Sequence, residues 1–422
     1  MKGMIFLLIL VICTKFGSDY LINYLVDNNA KLYKKASAQN ISPSNPTETP
    51  LVLALATPLP RTTPMATPAV TMTPLITPRA RVTPIVTPLI TPVINATPEI
   101  KATQIQSNIF DPAKLDWSMA TAEAKWQPRD SAVSFVFKDK MWTMGGLNGN
   151  TEVDKNHNVH YWDAPHFNDI WNSDDGINWK LVRKSADWSA RRSMSVAFFK
   201  DKLWMLGGYG VKSGYTNDIW QSTDGINWKK VVANADWPAR EGQTLEVFQD
   251  KLWMFGGVNY DARSVKNDIW YSEDGITWKE VKTPTPWKPR WDHDTAIFKD
   301  KIYLSGGMNL SGDTFDDIWS STDGMDWELV TNNPPWQARQ GYSLIGYKDK
   351  LWTVGRLDDS DLKGVNDIWY SDDGKIWKKT EIDPEWTGRE DHSVLLFKDK
   401  IFVFGGMDSN WVWRNDVWYS RY

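Results

Sequence analysis

The sequence predicts an all-β fold: a six-bladed β-propeller of four-stranded blades, its ring closed by an N-terminal strand and preceded by a disordered Thr/Pro-rich stalk. Three observations carry the prediction. A unit of about fifty residues recurs six times from Asp116 onward, and each of the first five copies holds four strand-like runs with a turn signal at every joint. The sixth copy stops at Tyr422 where its fourth strand should begin, while an orphaned strand-like run, Asp116-Trp117-Ser118-Met119, stands at the other end of the repeats. Donating that run to the last blade closes the ring and removes an exposed edge.

Each unit runs Trp-x-x-Arg, an apolar strand, Lys-Asp-Lys or a near variant, a second apolar strand with an aromatic, Gly-Gly, a variable loop, then Asn-Asp-Ile-Trp and an Asp-Gly hairpin. In the copy from Asn267 to Val281, Asp274-Gly275 is the type of dipeptide that turns a hairpin through positive φ, and Ile269, Trp270, Trp278 and Val281 are strand formers. The repeat arginines are Arg129, Arg191, Arg240, Arg290, Arg339 and Arg389. The glycine pairs start at Gly145, Gly207, Gly256, Gly306, Gly355 (here Gly-Arg) and Gly405.

The N-terminal quarter is different. Lys2 is followed by an apolar run, Met4 to Cys13, which reads as the core of an export signal and is short for a transmembrane span. Leu10-Val-Ile-Cys13 is a poor lipidation box because Ile12 is bulky where a small residue is expected, and Ala36-Ser37-Ala38 has a cleavage-like pattern far downstream. A second apolar patch, Tyr20 to Val26, supports the alternative of an uncleaved anchor. Between Thr49-Pro50 and Thr97-Pro98 the chain carries ten Thr-Pro pairs, most of them alternately six and four residues apart. Proline at that density forbids helix and ladder and favours an extended chain, which at roughly 3.1 Å per residue spans on the order of 150 Å. It reads as a surface stalk, with glycans on its threonines as one option, or as a plain linker. The expected organisation is therefore 1–30 signal peptide or membrane anchor, 31–111 Thr-Pro-rich linker and 112–422 propeller, with an extracellular or cell-surface location.

Composition excludes some functions. A net charge of −4 with no Lys/Arg cluster argues against a nucleic-acid partner. The single cysteine, Cys13, allows no intrachain disulfide and no Cys-ligated metal. No cofactor is implied, and the expected propeller is monomeric.

The glycine pair after strand two, the aromatic in strand three and the tryptophan in strand four resemble the kelch motif, with Trp270 and its equivalents where kelch repeats often have tyrosine. The resemblance covers all six repeats and implies the kelch propeller of the galactose-oxidase central-domain type; it does not choose a function. Ser272-Glu-Asp274-Gly275-Ile-Thr-Trp278 is also similar to the Asp-box of sialidase-type propellers, with one residue fewer between Asp and Gly.

Candidate site residues emerge by subtraction. Of 26 tryptophans, 22 take repeat positions, leaving Trp162, Trp291, Trp411 and Trp413. Because adjacent strands alternate in direction, the strand 2 to 3 loops and the crossovers between blades share one face, and the Lys-Asp-Lys and Asp-Gly turns share the other. All four leftover tryptophans fall on the variable crossover face, as do His157, His160 and His166 in the long blade-one loop and His293 and His392 after their repeat arginines. Aromatic rings beside Asp, Asn and Arg suit a sugar-binding surface; the competing reading is that Trp162, Trp411 and Trp413 pin the long loop. The six arginines read either as ligand contacts or as internal ties that stack on the repeat Trp and bond crossover carbonyls. The residue after each arginine (Asp130, Arg192, Glu241, Trp291, Gln340, Glu390) varies, as ligand contacts would.

The leading expectation is a binding module for a glycan or protein. The alternative is a carbohydrate-active hydrolase or lyase using paired carboxylates, Glu241 with Glu390 or Asp292 with Asp391, and the channel-mouth histidines; a third reading is a surface-array or adhesion component. A galactose-oxidase activity is opposed by the absence of cysteine from the propeller, and a sialidase by the absence of that family's flanking motifs. A metal site built from His157, His160, His166, Glu152, Asp154 and Asp163 fits no regular ligand spacing, and no catalytic residue is assigned.

Overall fold

The computed structural model describes residues 110–150, 164–358 and 364–422. The leader, the Thr-Pro segment, and Glu152, Asp154, His157, His160, Trp162 and Asp163 of the blade-one loop lie outside the described residues.

Six antiparallel four-stranded sheets follow one another along the chain, and the first strands of successive blades touch in a closed ring. In blade one the order outward is Val133–Phe137, Lys140–Met144, Ile170–Ser173 and Trp179–Arg183. Blades two to five repeat it with first strands at Ser195–Phe199, Thr244–Phe248, Trp291–Phe298 and Ser343–Tyr347. Blade six has three strands of its own, Ser393–Phe397, Lys400–Phe404 and Val417–Arg421, and takes its outermost from the N-terminal side: Asp116–Thr121 pairs antiparallel with Val417–Arg421, Trp117 opposite Ser420. The ring closes as the repeat arithmetic requires.

The tryptophans form the seams between blades. In strand two, the Trp142, Trp204, Trp253 and Trp352 indoles are buried, each N–H donating to the carbonyl that ends strand one, at 2.9–3.0 Å. The Asp-Gly loop of the next blade lies against that ring: a Cβ at Gly275 would fall 2.6 Å from Trp204, so this glycine is required by close approach as well as by its φ of +79°. Among the described residues no Asp-Gly loop of blade six covers Trp352. Phe110 takes its place, 6.2 Å from Trp352 and edge-on to Tyr347 and Tyr422 at 5.9 and 5.1 Å.

Two turn types alternate on the turn face, and one differs from the expectation. The Asp-Gly loop carries positive φ only at its glycine; Asp274 instead accepts the N–H groups of Ile276 and Thr277, both within 2.8 Å, and the Ser272 hydroxyl. The tight hairpin with two left-handed residues is the Lys-Asp turn. Phe137 pairs with Lys140, and the intervening Lys138 and Asp139 have φ of 49° and 55°, the signature of type I′ without asparagine or glycine. The first side chain of that turn is used: Lys138 donates to Thr223 O of blade two, Lys200 to Glu273 O of blade three, Lys299 to Asp372 O of blade five and Lys398 to Asp174 O of blade one.

Candidate binding face and channel mouth

The repeat arginines are internal ties. All six are at most 1% exposed. Arg290 typifies them: its Nε donates to Lys288 O at 3.2 Å, its Nη1 to Gly306 O at 2.9 Å, and both terminal nitrogens reach Asp317 at 2.6 and 2.8 Å. Arg129, Arg191, Arg240 and Arg389 make the same set with Asp169, Asp218, Asp268 and Asp416, while Arg339 pairs with Asp367 at 3.4 Å. Each aspartate also accepts the indole N–H two residues on, as Asp317 does from Trp319 at 2.7 Å. Stacking on the repeat Trp is present for Arg129 and Arg339, at 5.9 and 4.6 Å, whereas Arg290 lies over Phe315 at 4.5 Å. This leaves the arginines no exposed donor for a ligand. The sequence missed the partner: the aspartate of Asn-Asp-Ile-Trp is about 27 to 40 residues downstream, but an Asp that recurs with every Arg was the signal.

The next residue forms contacts between blades. Arg192 and Glu241 are both buried and make a two-pronged pair at 2.8 and 3.0 Å. Gln340 donates to Glu390 at 3.2 Å, and Trp291 stands edge-on to Tyr260 at 5.4 Å. One position further, Ser131, Ser193, Gly242, Asp292, Gly341 and Asp391 all adopt positive φ, between 48° and 64°. Their backbones link blade to blade: Ser193 N–H donates to Ser131 O, Gly242 to Ser193, Gly341 to Asp292, Asp391 to Gly341 and Ser131 to Asp391. The four non-glycine members hold a strained conformation in register, which a closed ring can enforce.

This collar rims a cavity of about 250 Å³ on the axis, lined among others by Ser134, Thr244, Asp292, Asp294, Ser343 and Asp391. Burial pushes the Asp292 carboxyl well above the usual range, reinforced by Asp391 and Glu390. Asp391 is raised by burial against the pull of the Ser131 hydroxyl, which donates to it at 2.9 Å. Asp130, buried beside them, is raised by burial and by Asp391, with Arg192 and Trp413 opposing.

The histidines are wedges. His293 and His392 lie under the preceding blade's first glycine, where a Cβ at Gly256 or Gly355 would fall 2.7 Å from the ring. Burial, and next Arg290 or Arg389, lowers each pKa to about 3, and the neutral His392 ring donates from Nε2 to Val354 O at 3.1 Å. His166 is lowered to about 4, first by burial and then by Arg192. Among the described residues no group of three or more His, Cys, Asp or Glu is placed to hold a metal ion.

The described tryptophans divide. Trp413 is 1% exposed, packed with Leu147, Ala164 and Met407, and exchanges backbone bonds with the Asn150 side chain, so it joins blade six to the start of the blade-one loop. Trp411 is 46% exposed, with φ of +59°. Trp291 is half-buried at the rim. Trp162 lies outside the described residues.

A family model described as the KLHDC2/KLHL20/DRC7 Kelch-repeats domain matches residues 162–355 and 221–406, more than half of the chain taken together. The chain belongs to the kelch-repeat family. No curated protein matches it. Among solved structures, one titled "Structure of YjhT", a kelch-type propeller, superimposes with a TM-score of 0.56 at 16% identity, covering 71% of this chain and 96% of the other. That likeness speaks for fold. Kelch propellers are typically binding and protein-interaction modules. In this kelch propeller the sequence also missed three tyrosines of the crossover face, Tyr209, Tyr215 and Tyr260. They lie outside the repeat consensus just as the leftover tryptophans do, and a count of all aromatics would have found them.

Proposed function

We propose that this kelch propeller is a binding module, exported or displayed at a surface by its N-terminal segment, which receives a glycan or a protein on its crossover face. The observation that carries the reading is the axial cavity at the centre of that face, rimmed by hydroxyls and carboxyls, with Trp291 in the first strand of blade four and exposed Trp411 in the blade-six loop. Screening the chain on a glycan array and in protein pull-downs tests it. Ligand capture lost in Trp411→Ala and kept in a turn-face variant such as Ile376→Ser supports the crossover face; capture unchanged by Trp411→Ala and by Asp292→Asn sinks it. Export is tested by N-terminal sequencing of protein recovered outside the cell.

A specific observation supports the enzymatic alternative. Asp292 and Asp391 both line the cavity, and burial favours their protonated forms, which suits a general acid. Glu241 is less suited, since Arg192 holds both of its oxygens. Turnover of a polysaccharide that disappears in Asp292→Asn while ligand capture persists favours the hydrolase or lyase.

A further inference from the structure

An arc of rings runs beside the axial cavity. His166 of blade one stands edge-on to Tyr209 of blade two at 5.8 Å, and Tyr209 meets Tyr215 at 4.8 Å. Tyr215 reaches the backbone of Tyr260 in blade three, whose ring stands edge-on to Trp291 of blade four at 5.4 Å. All five side chains are half-buried. Arg192 ties the arc to the cavity rim: its guanidinium lies 5.3 Å over the Tyr209 ring while Glu241 clasps its other edge.

The cavity has a definite chemistry. Among the described residues its lining contains Asp292, Asp294 and Asp391, the hydroxyls of Ser131, Ser134, Ser193, Thr244, Ser343 and Ser393, and no lysine or arginine. An anionic ligand would give up its hydration there without a lysine or arginine of the lining to pair with. A neutral polyol would meet groups that accept and, when protonated, donate to its hydroxyls. Apolar ring surface beside such a pocket complements the C–H faces and hydroxyls of sugars better than the alternating backbone polarity of an extended peptide.

We infer that the crossover face is a cradle of several subsites for a neutral oligosaccharide, the chain lying along the Tyr209, Tyr215, Tyr260 and Trp291 arc with one end at the axial cavity, and that this arrangement rejects carboxylated chains. The inference rests on the crossover-face reading and names its ligand. Contact with several rings makes affinity depend on chain length, and a lining without lysine or arginine makes it depend on ligand charge.

The test is calorimetric titration of the full chain with cello-, malto-, manno- and laminari-oligosaccharides, disaccharide against tetrasaccharide, and with tetragalacturonate. The expected result is that one neutral tetrasaccharide binds at least tenfold more tightly than its disaccharide. Tyr209→Ala and Tyr260→Ala should each remove roughly fivefold to tenfold of the tetrasaccharide affinity and leave the disaccharide unchanged. Tetragalacturonate should bind weakly or not at all. Thermal midpoints of the variants check that the blades remain assembled. Affinity independent of chain length, preference for tetragalacturonate, or failure of every neutral tetrasaccharide overturns the inference. If in those cases a protein is captured in a Trp411-dependent manner, the crossover-face reading survives and only the oligosaccharide fails.

Discussion

Arg290 and Asp317 meet through two nearly parallel hydrogen bonds of 2.6 and 2.8 Å, with the guanidinium fully buried and the indole of Trp319 completing the aspartate's shell. The pair joins the crossover entering blade four to that blade's third strand. Removing one partner leaves a buried charge uncompensated, so Asp317→Asn should cost about 3–5 kcal/mol. The double variant Arg290→Met, Asp317→Leu, which removes both charges, should recover most of the loss. Urea denaturation midpoints decide it; a loss under about 1 kcal/mol in the single variant shows that the pair is not holding the blade.

The Lys-Asp hairpins place ordinary residues where glycine is preferred. Asp300, at φ of 57°, is the second residue of the type I′ turn of blade four. Replacing it with glycine relieves the left-handed strain at some cost in unfolded-chain entropy, so Asp300→Gly should raise stability by roughly 0.5–1 kcal/mol. Lys299→Gly should give no such gain, because the Lys299 ammonium donates to Asp372 O of the next blade at 2.8 Å. Comparing the two thermal midpoints separates turn strain from the latch.

How much of this was legible depends on what repeats. Blade number, strand order and the closure by Asp116–Thr121 followed from periodicity, because a recurring Trp, Gly-Gly or Asp-Gly marks a recurring position. The arginine ties were half legible: Arg290 recurs visibly, but its partner Asp317 is joined to it only in three dimensions. The channel mouth was least legible. Asp292 and Asp391 belong to a collar whose other members are Ser131, Ser193, Gly242 and Gly341, residues united by backbone conformation and not by type. Trp411 and Trp413 are two positions apart, which in an extended segment would put them on one face, yet they are 46% and 1% exposed, because Trp411 sits in a left-handed turn at φ of +59°.

The closing strand offers a third prediction. Trp117 is buried edge-on against Trp386 at 4.5 Å, and Trp386 meets Trp418 at 5.7 Å, so the donated strand completes the seam between blades five and six. Trp117→Ala should cost about 3–5 kcal/mol and expose the Val417–Arg421 edge. Hydrogen exchange of the Val417–Arg421 amides should quicken well before that of Val133–Phe137; equal quickening in both would mean that the ring opens as one unit.

A last prediction concerns pH. Glu246, in the first strand of blade three, accepts a hydrogen bond from Thr295 at 2.9 Å, and Asp294 accepts the Leu344 N–H at 2.7 Å. Burial raises Glu246 from 4.5 to about 8, with nearby Asp294 adding to it, and burial raises Asp294 from 3.8 to about 7 despite the N–H donors of Leu344 and Thr295. A carboxyl whose folded pKa lies above its unfolded value binds its proton more tightly when folded, so its favourable contribution is complete below the unfolded pKa and is lost as pH rises through the folded one. For Glu246 that window runs from 4.5 to about 8, and for Asp294 from 3.8 to about 7. The thermal midpoint should therefore fall across this range. Glu246→Gln keeps an acceptor for Thr295 without the charge, so it should flatten the fall and exceed the parent most at pH 8. Parallel midpoint curves for parent and variant between pH 5 and pH 8.5 would mean that Glu246 titrates like an exposed carboxylate and that the wall between blades three and four is open to water.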